Sequence, residues 1–132
     1  LRSKGLNATG FDIDDRISDK KNLSVKSMFD NTDTADVVMC IEVAEHIDQS
    51  LADDVAQSVA KATNKTLIWT AAQPGQGGVG HINCQPREYW LEKLTKAGLV
   101  HNIEKETELR NYIQGAIHLG WFVQNLIYLE RK

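Results

Sequence analysis

The stretch that decides the fold runs from residue 36 to residue 46 and reads Asp36-Val37-Val38-Met39-Cys40-Ile41-Glu42-Val43-Ala44-Glu45-His46. Its first part, residues 36–41, is a short apolar run rich in β-branched residues, typical of a strand covered on both faces in a parallel sheet. Three polar side chains follow it, those of Glu42, Glu45 and His46. Open α/β sheets place chemistry at the carboxyl ends of their strands, so we interpret this as a central strand ending in a functional site. The alternative is a helix start with exposed charges.

The composition is that of an ordinary globular chain. The 132 residues are 42% hydrophobic and 25% charged, enough for a single domain with one core. The formal net charge of -3 offers no basic face and argues against a nucleic-acid partner, although it leaves a locally bound RNA open. No apolar run approaches the ~20 residues of a membrane span, and no signal peptide opens the chain. We therefore expect a cytoplasmic protein with no membrane partner.

Two further features of the sequence concern its compartment and its limits. Cys40 and Cys84 lack the spacing of a metal-binding pair and are predicted to be free thiols in a reducing compartment. The chain begins with Leu1 rather than Met, which indicates a chosen boundary, a cleaved product or an incomplete reading frame.

Strand-like and helix-like segments alternate along the chain, which predicts an α/β layered domain over residues 1–132. Besides residues 36–41, strands are predicted at residues 7–13, 23–27, 66–70, 99–103 and 121–129. The last two resemble an antiparallel pair at a sheet edge.

One helix is predicted from a cap at Asp48 or Ser50 to about residue 63, and its apolar face would comprise Leu51, Val55, Val59 and Ala62. A second helix begins at Pro86 and ends before Gly98, and residues 106–119 are interpreted as mixed helix or loop.

A glycine-rich segment follows the strand at residues 66–70. Residues 71–83 read Ala-Ala-Gln-Pro-Gly-Gln-Gly-Gly-Val-Gly-His-Ile-Asn. Glycines free the backbone of such a loop to close on a ligand. The spacing is not that of a phosphate-binding loop, and its match to a dinucleotide-binding pattern is weak. The loop carries His81, a candidate general base; the alternative is a loop histidine bonded to the backbone.

These motifs resemble, in the same order and over nearly the whole chain, those of class I S-adenosylmethionine-dependent methyltransferases. They comprise Gly10-Phe11-Asp12, residues 36–46, the strand at residues 67–70 and Gly98-Leu99. The most specific is the strand followed by Glu-Val-x-Glu-His. Pro-Gly-Gln-Gly-Gly-x-Gly-His-Ile-Asn with a nearby Tyr-Trp is similar to one subgroup of small bacterial or phage methyltransferases. The resemblance implies a Rossmann-like α/β sheet of seven strands, the last inserted antiparallel.

The chain departs from the family's pattern at its start. No Asp/Glu-x-Gly-x-Gly turn, which in the family holds the methionine part of the cofactor, precedes Asp12. The first strand and helix are therefore expected to be missing, and the chain to be a carboxyl-terminal fragment that alone binds S-adenosylmethionine weakly or not at all. In the family that strand lies between those at residues 7–12 and 36–41. Its loss would leave these two to pair with each other, recruit another chain or expose open edges.

The resemblance also implies a cofactor site. Asp12, with Ile13 beside it, would accept hydrogen bonds from both ribose hydroxyls. Ser27 and Met28 would form the wall on the adenine side, although the family usually has an acid there. Cys40 and Ile41 would line the cofactor floor. The alternatives are a turn-capping Asp12 and core positions for Cys40 and Ile41.

Glu42, Glu45, His46 and His81 resemble the divalent-metal site of some class I O-methyltransferases. Two carboxylates and two imidazoles suit Mn²⁺, Fe²⁺, Co²⁺ or Zn²⁺ better than Mg²⁺. A metal there would lower the pKa of an acceptor hydroxyl. The alternative is that Glu42 orients the cofactor or caps a helix while His46 packs against the sheet.

The reaction implied by the resemblance is an in-line attack of an acceptor oxygen, nitrogen or carbon on the sulfonium methyl. His81 is the first candidate base and His46 the second, with Glu42 in the same catalytic group. Tyr89, Trp90 and Tyr112 would wall the acceptor pocket or belong to the core. A sugar or small-molecule hydroxyl is the preferred acceptor. Other readings stay open: a metal-dependent O-methyltransferase for RNA or a quinone, a non-catalytic cofactor-binding module, an assembly subunit and a homo-oligomer.

Overall fold

The computed structural model describes residues 2–116 and 120–132. The chain divides into two compact units, Leu1–Thr32 and Asp33–Lys132, and each contains its own sheet. Among the helices formed by the described residues, none is both long and apolar enough to cross a bilayer.

The first unit is built on a parallel pair of short strands. β1 (Gly10–Asp12) pairs with β2 (Leu23–Val25). The strands predicted at residues 7–13 and 23–27 are confirmed at their centres but are shorter, because Asp14 and Ser27 cap one-turn 3₁₀ helices directly after them. No residue from 3 to 32 is buried.

The second unit is built on a sheet of four strands in the order β3-β4-β6-β5. The strands are β3 (Ala35–Ile41), β4 (Thr63–Thr70), β5 (Leu99–His101) and β6 (Ile127–Arg131). β3 and β4 are parallel, whereas β6 is antiparallel to both of its neighbours, β4 and β5. The predicted antiparallel edge pair and the antiparallel insertion of the last strand are confirmed.

The interpretation of residues 36–41 as a strand covered on both faces is wrong in one respect. β3 is an edge strand of the described sheet, with β4 as its strand partner. Cys40 is buried, but Val37 and Met39 on the other face are 58% and 51% exposed. Side chains alternate between the faces of a strand, so one face is packed in the core and the other is left open. The apolar run alone did not distinguish these two environments.

Four helices complete the second unit: α1 (Ala52–Ala62), α2 (Arg87–Lys96), α3 (Ile103–Ala116) and α4 (Gly120–Asn125). Asp48 caps the 3₁₀ turn that leads into α1, as one of the two predicted caps, and α1 buries Val55 and Val59 but leaves Leu51 exposed. Pro86 precedes α2, and Gly98 follows it with φ +96°, as expected for a helix end that needs left-handed backbone.

The predictions for the last third of the chain are partly wrong. The final strand is Ile127–Arg131, and the first residues of the strand predicted at 121–129 form α4 instead. Of the mixed segment predicted at residues 106–119, the described part is helical, and residues 117–119 lie outside the described residues. An apolar run such as Trp121-Phe122-Val123 does not by itself distinguish a strand from a short helix.

Candidate functional site

The candidate site lies where the carboxyl ends of β3 and β4 meet the amino end of β6. Glu42 follows β3 directly, and Glu45 and His46 lie in the 3₁₀ turn Ala44–His46. The glycine-rich loop after β4 carries His81 to the same edge, because Glu45 accepts backbone hydrogen bonds from Ile82 (2.9 Å) and Asn83 (3.0 Å) through its carbonyl oxygen. The structure thus brings together the four residues predicted to form a polar cluster.

Glu45 is the most unusual residue of this site. It is 0% exposed, and neither of its carboxylate oxygens has a hydrogen bond of ordinary geometry among the described residues, although the backbone of Ala72 and the Glu42 carboxyl lie close enough to affect its pKa. Burial raises the pKa of the Glu45 carboxyl, and the nearby charge of Glu42 adds to the effect. Its Oε1 lies 4.0 Å from Nε2 of His81. Burying an ionised carboxylate without hydrogen bonds is costly, which is why the neutral form is favoured here.

The two histidines are held by the glycine-rich loop in the same way. Nδ1 of His46 donates to the carbonyl of Gly80 at 3.1 Å, and Nδ1 of His81 donates to the carbonyl of Gln76 at 3.2 Å. A carbonyl oxygen only accepts, so the proton of each neutral ring sits on Nδ1 and the lone pair on Nε2. The rings meet edge to face, with centroids 4.9 Å apart. Backbone carbonyls fix the tautomer of metal-binding histidines in this manner.

Glycine is required at two positions of this loop. A Cβ at Gly78 would lie 2.3 Å from Nε2 of His81, and Gly80 has φ +77°. The first position allows the imidazole to lie against the backbone, and the second supplies the turn that presents the Gly80 carbonyl to His46. Both requirements concern the histidines, and closure of the loop on a ligand stays a prediction.

One ligand atom from each of Glu45, His46 and His81 lies within 4.8 Å of the others, as in a group able to hold a metal ion. One carboxylate and two imidazoles suit Mn²⁺, Fe²⁺, Co²⁺ or Zn²⁺. Glu42, predicted as a fourth ligand, lies outside this group, and its Oε1 accepts a hydrogen bond from Asn125 Nδ2 at 3.3 Å. Its backbone has φ +52°, a conformation that a glutamate rarely adopts and that often marks functional sites.

Amide side chains around the cluster were missed by the sequence analysis. Gln73, Gln76 and Asn125 are hydrogen-bonded to one another, and Asn125 also contacts Glu42. Gln73 and Gln76 flank the glycines of the loop, which was the available signal. Asn125 was hidden because it fell inside a predicted strand.

Other predicted residues have plainer environments. Cys40 is buried, and this burial, with the charge of Glu45, raises the pKa of its thiol to about 12, so it stays protonated. Ile41 is half-buried at the end of β3. Trp90 is 1% exposed and packs on Trp69, with ring centroids 5.2 Å apart. Trp90 is therefore a core residue, the alternative considered from the sequence, and not the wall of an open pocket.

The other predicted aromatic residues and the second cysteine also belong to the second unit. Tyr89 contacts the ring of Trp90 edge-on and lies beneath Lys93, while Tyr112 is 77% exposed on α3. Cys84 is a free thiol as predicted, and its Sγ lies 3.8 Å from Nδ1 of His81.

The residues predicted to contact the cofactor on its ribose and adenine side lie in the first unit. Asp12 is the last residue of β1, and its Oδ1 accepts the N–H of Asp14 at 3.0 Å, as a turn-capping aspartate does. Ser27 caps the next 3₁₀ turn, with Oγ accepting the N–H of Phe29 at 3.2 Å. Met28 is half-buried and Ile13 is 77% exposed. Asp12 and Ser27 thus follow the carboxyl ends of two parallel strands at one edge of the small sheet.

The strand order and the antiparallel last strand agree with the Rossmann-like α/β sheet expected from the sequence, and solved structures share this fold. The magnesium protoporphyrin IX methyltransferase (ChlM) from Synechocystis PCC 6803 with bound SAM matches 89% of this chain and 50% of its own, at TM-score 0.54 and 13% identity. The O-methyltransferase of a trans-AT PKS multienzyme of Brevibacillus brevis, in complex with S-adenosyl-L-homocysteine, matches 92% and 56%, at TM-score 0.53 and 16% identity.

These similarities establish the fold. The chain spans about half the length of the solved structures that it matches. No family model matches the sequence, and no curated protein matches it.

Proposed function

We propose that the chain functions in S-adenosylmethionine-dependent methyl transfer to a small-molecule or sugar hydroxyl. The observation that carries this proposal is the buried Glu45 carboxyl grouped with His46 and His81, with one ligand atom of each within 4.8 Å of the others. In a sheet of this fold the carboxyl edge is where ligands bind. Methyl transfer supplies a use for such a cluster, because a hydroxyl acceptor must lose its proton.

Each unit carries residues that the resemblance assigns to cofactor binding. Asp12 offers two acceptor oxygens to the ribose hydroxyls, and only one of them is engaged by the Asp14 N–H. Ser27 and Met28 would wall the adenine, and Cys40 and Ile41 at the end of β3 would line the floor. A neutral, buried Cys40 suits an apolar floor, because it brings no charge near the cofactor.

A divalent metal would be held by Glu45, His46 and His81. The donor set fits such an ion, because neither Glu45 oxygen makes a hydrogen bond of ordinary geometry and each imidazole donates through Nδ1, which leaves its Nε2 without a proton. A bound metal would lower the pKa of the acceptor hydroxyl. A histidine that coordinates through Nε2 is not available as a base at the same atom. Glu42, which lies outside the ligand group, is a further candidate base. Without metal, that role falls to His81 and then to His46.

The reaction is an in-line displacement. The acceptor oxygen forms a bond to the methyl carbon while the bond between sulfur and methyl breaks, and its electron pair returns to sulfur to give neutral S-adenosylhomocysteine. The acceptor's proton passes to the base. Because the positive sulfur already activates the methyl group, the protein contributes alignment and exclusion of water.

Calorimetric titration of S-adenosylhomocysteine tests the proposal. The ligand is titrated into the 132-residue chain, into the product of the complete reading frame, and into that product carrying Asp12→Ala. Asp15→Ala, a second acid of the first unit, is the control. We expect binding by the complete product, weakened about 10-fold or more by Asp12→Ala, since a carboxylate bonded to a hydroxyl contributes about 1.5–3 kcal/mol.

Two results would contradict the proposal. Absence of binding in the complete product would exclude a methyltransferase and favour an assembly subunit. Binding without methyl transfer to any acceptor, with and without added Mn²⁺, would favour a non-catalytic cofactor-binding module.

A further inference from the structure

Asn125, the last residue of α4, connects the two sides of the candidate site. It is 2% exposed, and its amide makes three hydrogen bonds. Nδ2 donates to Oε1 of Glu42 at 3.3 Å and to Oε1 of Gln76 at 2.9 Å. Oδ1 accepts from Nε2 of Gln73 at 3.1 Å. One buried amide therefore touches the residue that follows β3 and two residues of the loop that follows β4.

Gln76 extends this connection to His81. Its side-chain Oε1 accepts from Asn125 and from the backbone N–H of Gln73, at 2.7 Å, so the side chain is held at two points. The carbonyl of the same residue accepts the Nδ1 proton of His81. Holding the Gln76 side chain thus holds the carbonyl that decides which nitrogen of His81 carries the proton.

The topology explains how Asn125 reaches this place. β6 runs antiparallel to β4, so the residues just before β6 lie at the edge where β4 ends. A parallel last strand would bring its carboxyl end to this edge instead. The antiparallel insertion of β6 therefore brings the Asn125 amide, which lies far along the sequence, to the candidate site. An amide suits this position because its NH₂ group donates to two oxygens while its own oxygen accepts a third hydrogen bond.

We propose that Asn125 is a positioning residue that holds the Glu42 carboxylate and, through Gln76, keeps His81 in the tautomer with a free Nε2. The functional role of Asn125 rests on the proposed metal site. The chain of hydrogen bonds from Asn125 through Gln76 to His81 does not depend on a metal. A buried amide that loses its partners leaves polar groups unsatisfied, so removal of Asn125 affects Glu42 and the loop together.

Nitrogen-15 NMR of the histidine rings tests the link without metal. We expect His81 of the wild-type chain to show one tautomer, protonated at Nδ1, and Asn125→Ala to show a mixture of both. Asn102→Ala is the matched control, because the Asn102 amide also donates to a carboxylate, that of Glu130 at 2.9 Å, away from the site. Asn125→Ser, whose hydroxyl is too short to bridge Glu42 and Gln76, replaces the alanine variant if that one does not fold. An unchanged His81 tautomer in a folded Asn125 variant would overturn the proposal.

Titration with Co²⁺, followed by its visible absorption, tests the consequence for binding. Asn125→Ala should weaken Co²⁺ binding about 10- to 100-fold, the range found when residues that orient metal ligands are removed. Gln76→Ala should do the same, and the double variant should be little worse than either, because both act through one chain of contacts. Failure of the wild-type chain to bind Co²⁺ would contradict the proposed metal site. The NMR experiment would still test the positioning role of Asn125. Full additivity of the two substitutions would contradict the proposed link.

Discussion

At the scale of single residues, Glu45 and its two histidines show how local chemistry and tertiary position combine. The Glu45 carboxyl is buried and its pKa is raised by that burial, whereas the histidines are oriented by backbone carbonyls. The orientation of both imidazoles is therefore set by the protein itself. The glycines of the loop are part of that orientation, because they allow the imidazoles to approach the backbone.

Gly78→Ala should impair this site while Gly77→Ala should not. A Cβ at Gly78 would lie 2.3 Å from Nε2 of His81 and displace the ring, whereas a Cβ at Gly77 meets nothing within 4 Å. We expect Gly78→Ala to weaken Co²⁺ binding about 10- to 100-fold, measured by absorption titration. Gly77→Ala is the matched control and should bind as the wild type does. Equal affinities of the two variants would show that His81 is not a ligand.

At the scale of elements, a buried ion-pair cluster joins α2, α3, β5 and β6. Its centre is Glu106 of α3, which is 5% exposed. Arg87 of α2 donates to both of its oxygens, at 2.6 and 2.7 Å. His101 of β5 lies 2.8 Å from Oε2, and the N–H of Tyr128 in β6 donates to the same oxygen at 3.1 Å. One carboxylate therefore ties together four elements that are distant in the sequence.

Glu106→Gln should destabilise the second unit in a pH-dependent way. Burial by itself would raise the pKa of Glu106, but the hydrogen bonds from His101 and Tyr128 and the charge of Arg87 outweigh it and lower the pKa. A lowered pKa means that the ionised carboxylate stabilises the fold above its ordinary pKa of about 4.3, and that this contribution disappears as the pH falls through the folded value. We expect the variant to lose about 3 kcal/mol at pH 7 and little at pH 3, measured by urea unfolding.

Glu92→Gln is the control for this experiment. Glu92 pairs with Lys96 on the surface of α2, where its side chain is 66% exposed. Its removal should change the free energy of unfolding by less than about 0.5 kcal/mol. If Glu106→Gln cost the same at pH 3 as at pH 7, the stabilisation would come from packing and not from charge.

At the scale of the whole molecule, the two units differ in what holds them together. The second unit contains all the buried residues of the described chain, including Trp69, Trp90 and Leu94. The first unit has strands of three residues and no buried residue from 3 to 32. Two-stranded sheets are at best marginally stable in water, because they bury too little apolar surface to offset the lost conformational entropy.

Limited proteolysis should therefore cut the first unit first. We expect trypsin to cleave after Arg16, Lys20 or Lys21 well before it cleaves within α1 or β4, and mass spectrometry identifies the order of the cuts. Lys61 and Lys65 are the internal comparison, since both are exposed yet belong to elements of the packed second unit. Cleavage at all of these sites at one rate would show that the two units unfold together.

The sequence by itself determined the elements and the candidate ligands. Apolar runs and helix caps located β3, β4, α1 and α2, because these patterns depend on neighbouring residues. The same kind of reading placed Glu42, Glu45 and His46 at the end of a strand. It was less successful in the last third of the chain, where the short apolar run before Asn125 is compatible with either a strand or a helix.

Only the tertiary structure decided which of those residues act together. It showed that Glu45 faces His81, that Glu42 is held by Asn125, that Trp90 belongs to the core and that one face of β3 is open. The spacing of apolar and polar residues along the sequence does not predict these contacts. They depend on the insertion of β6 between β4 and β5 and on the hydrogen bonds that hold the loop after β4 against Glu45. The period of apolar residues specifies an element, but the contacts between residues far apart in sequence are set by packing.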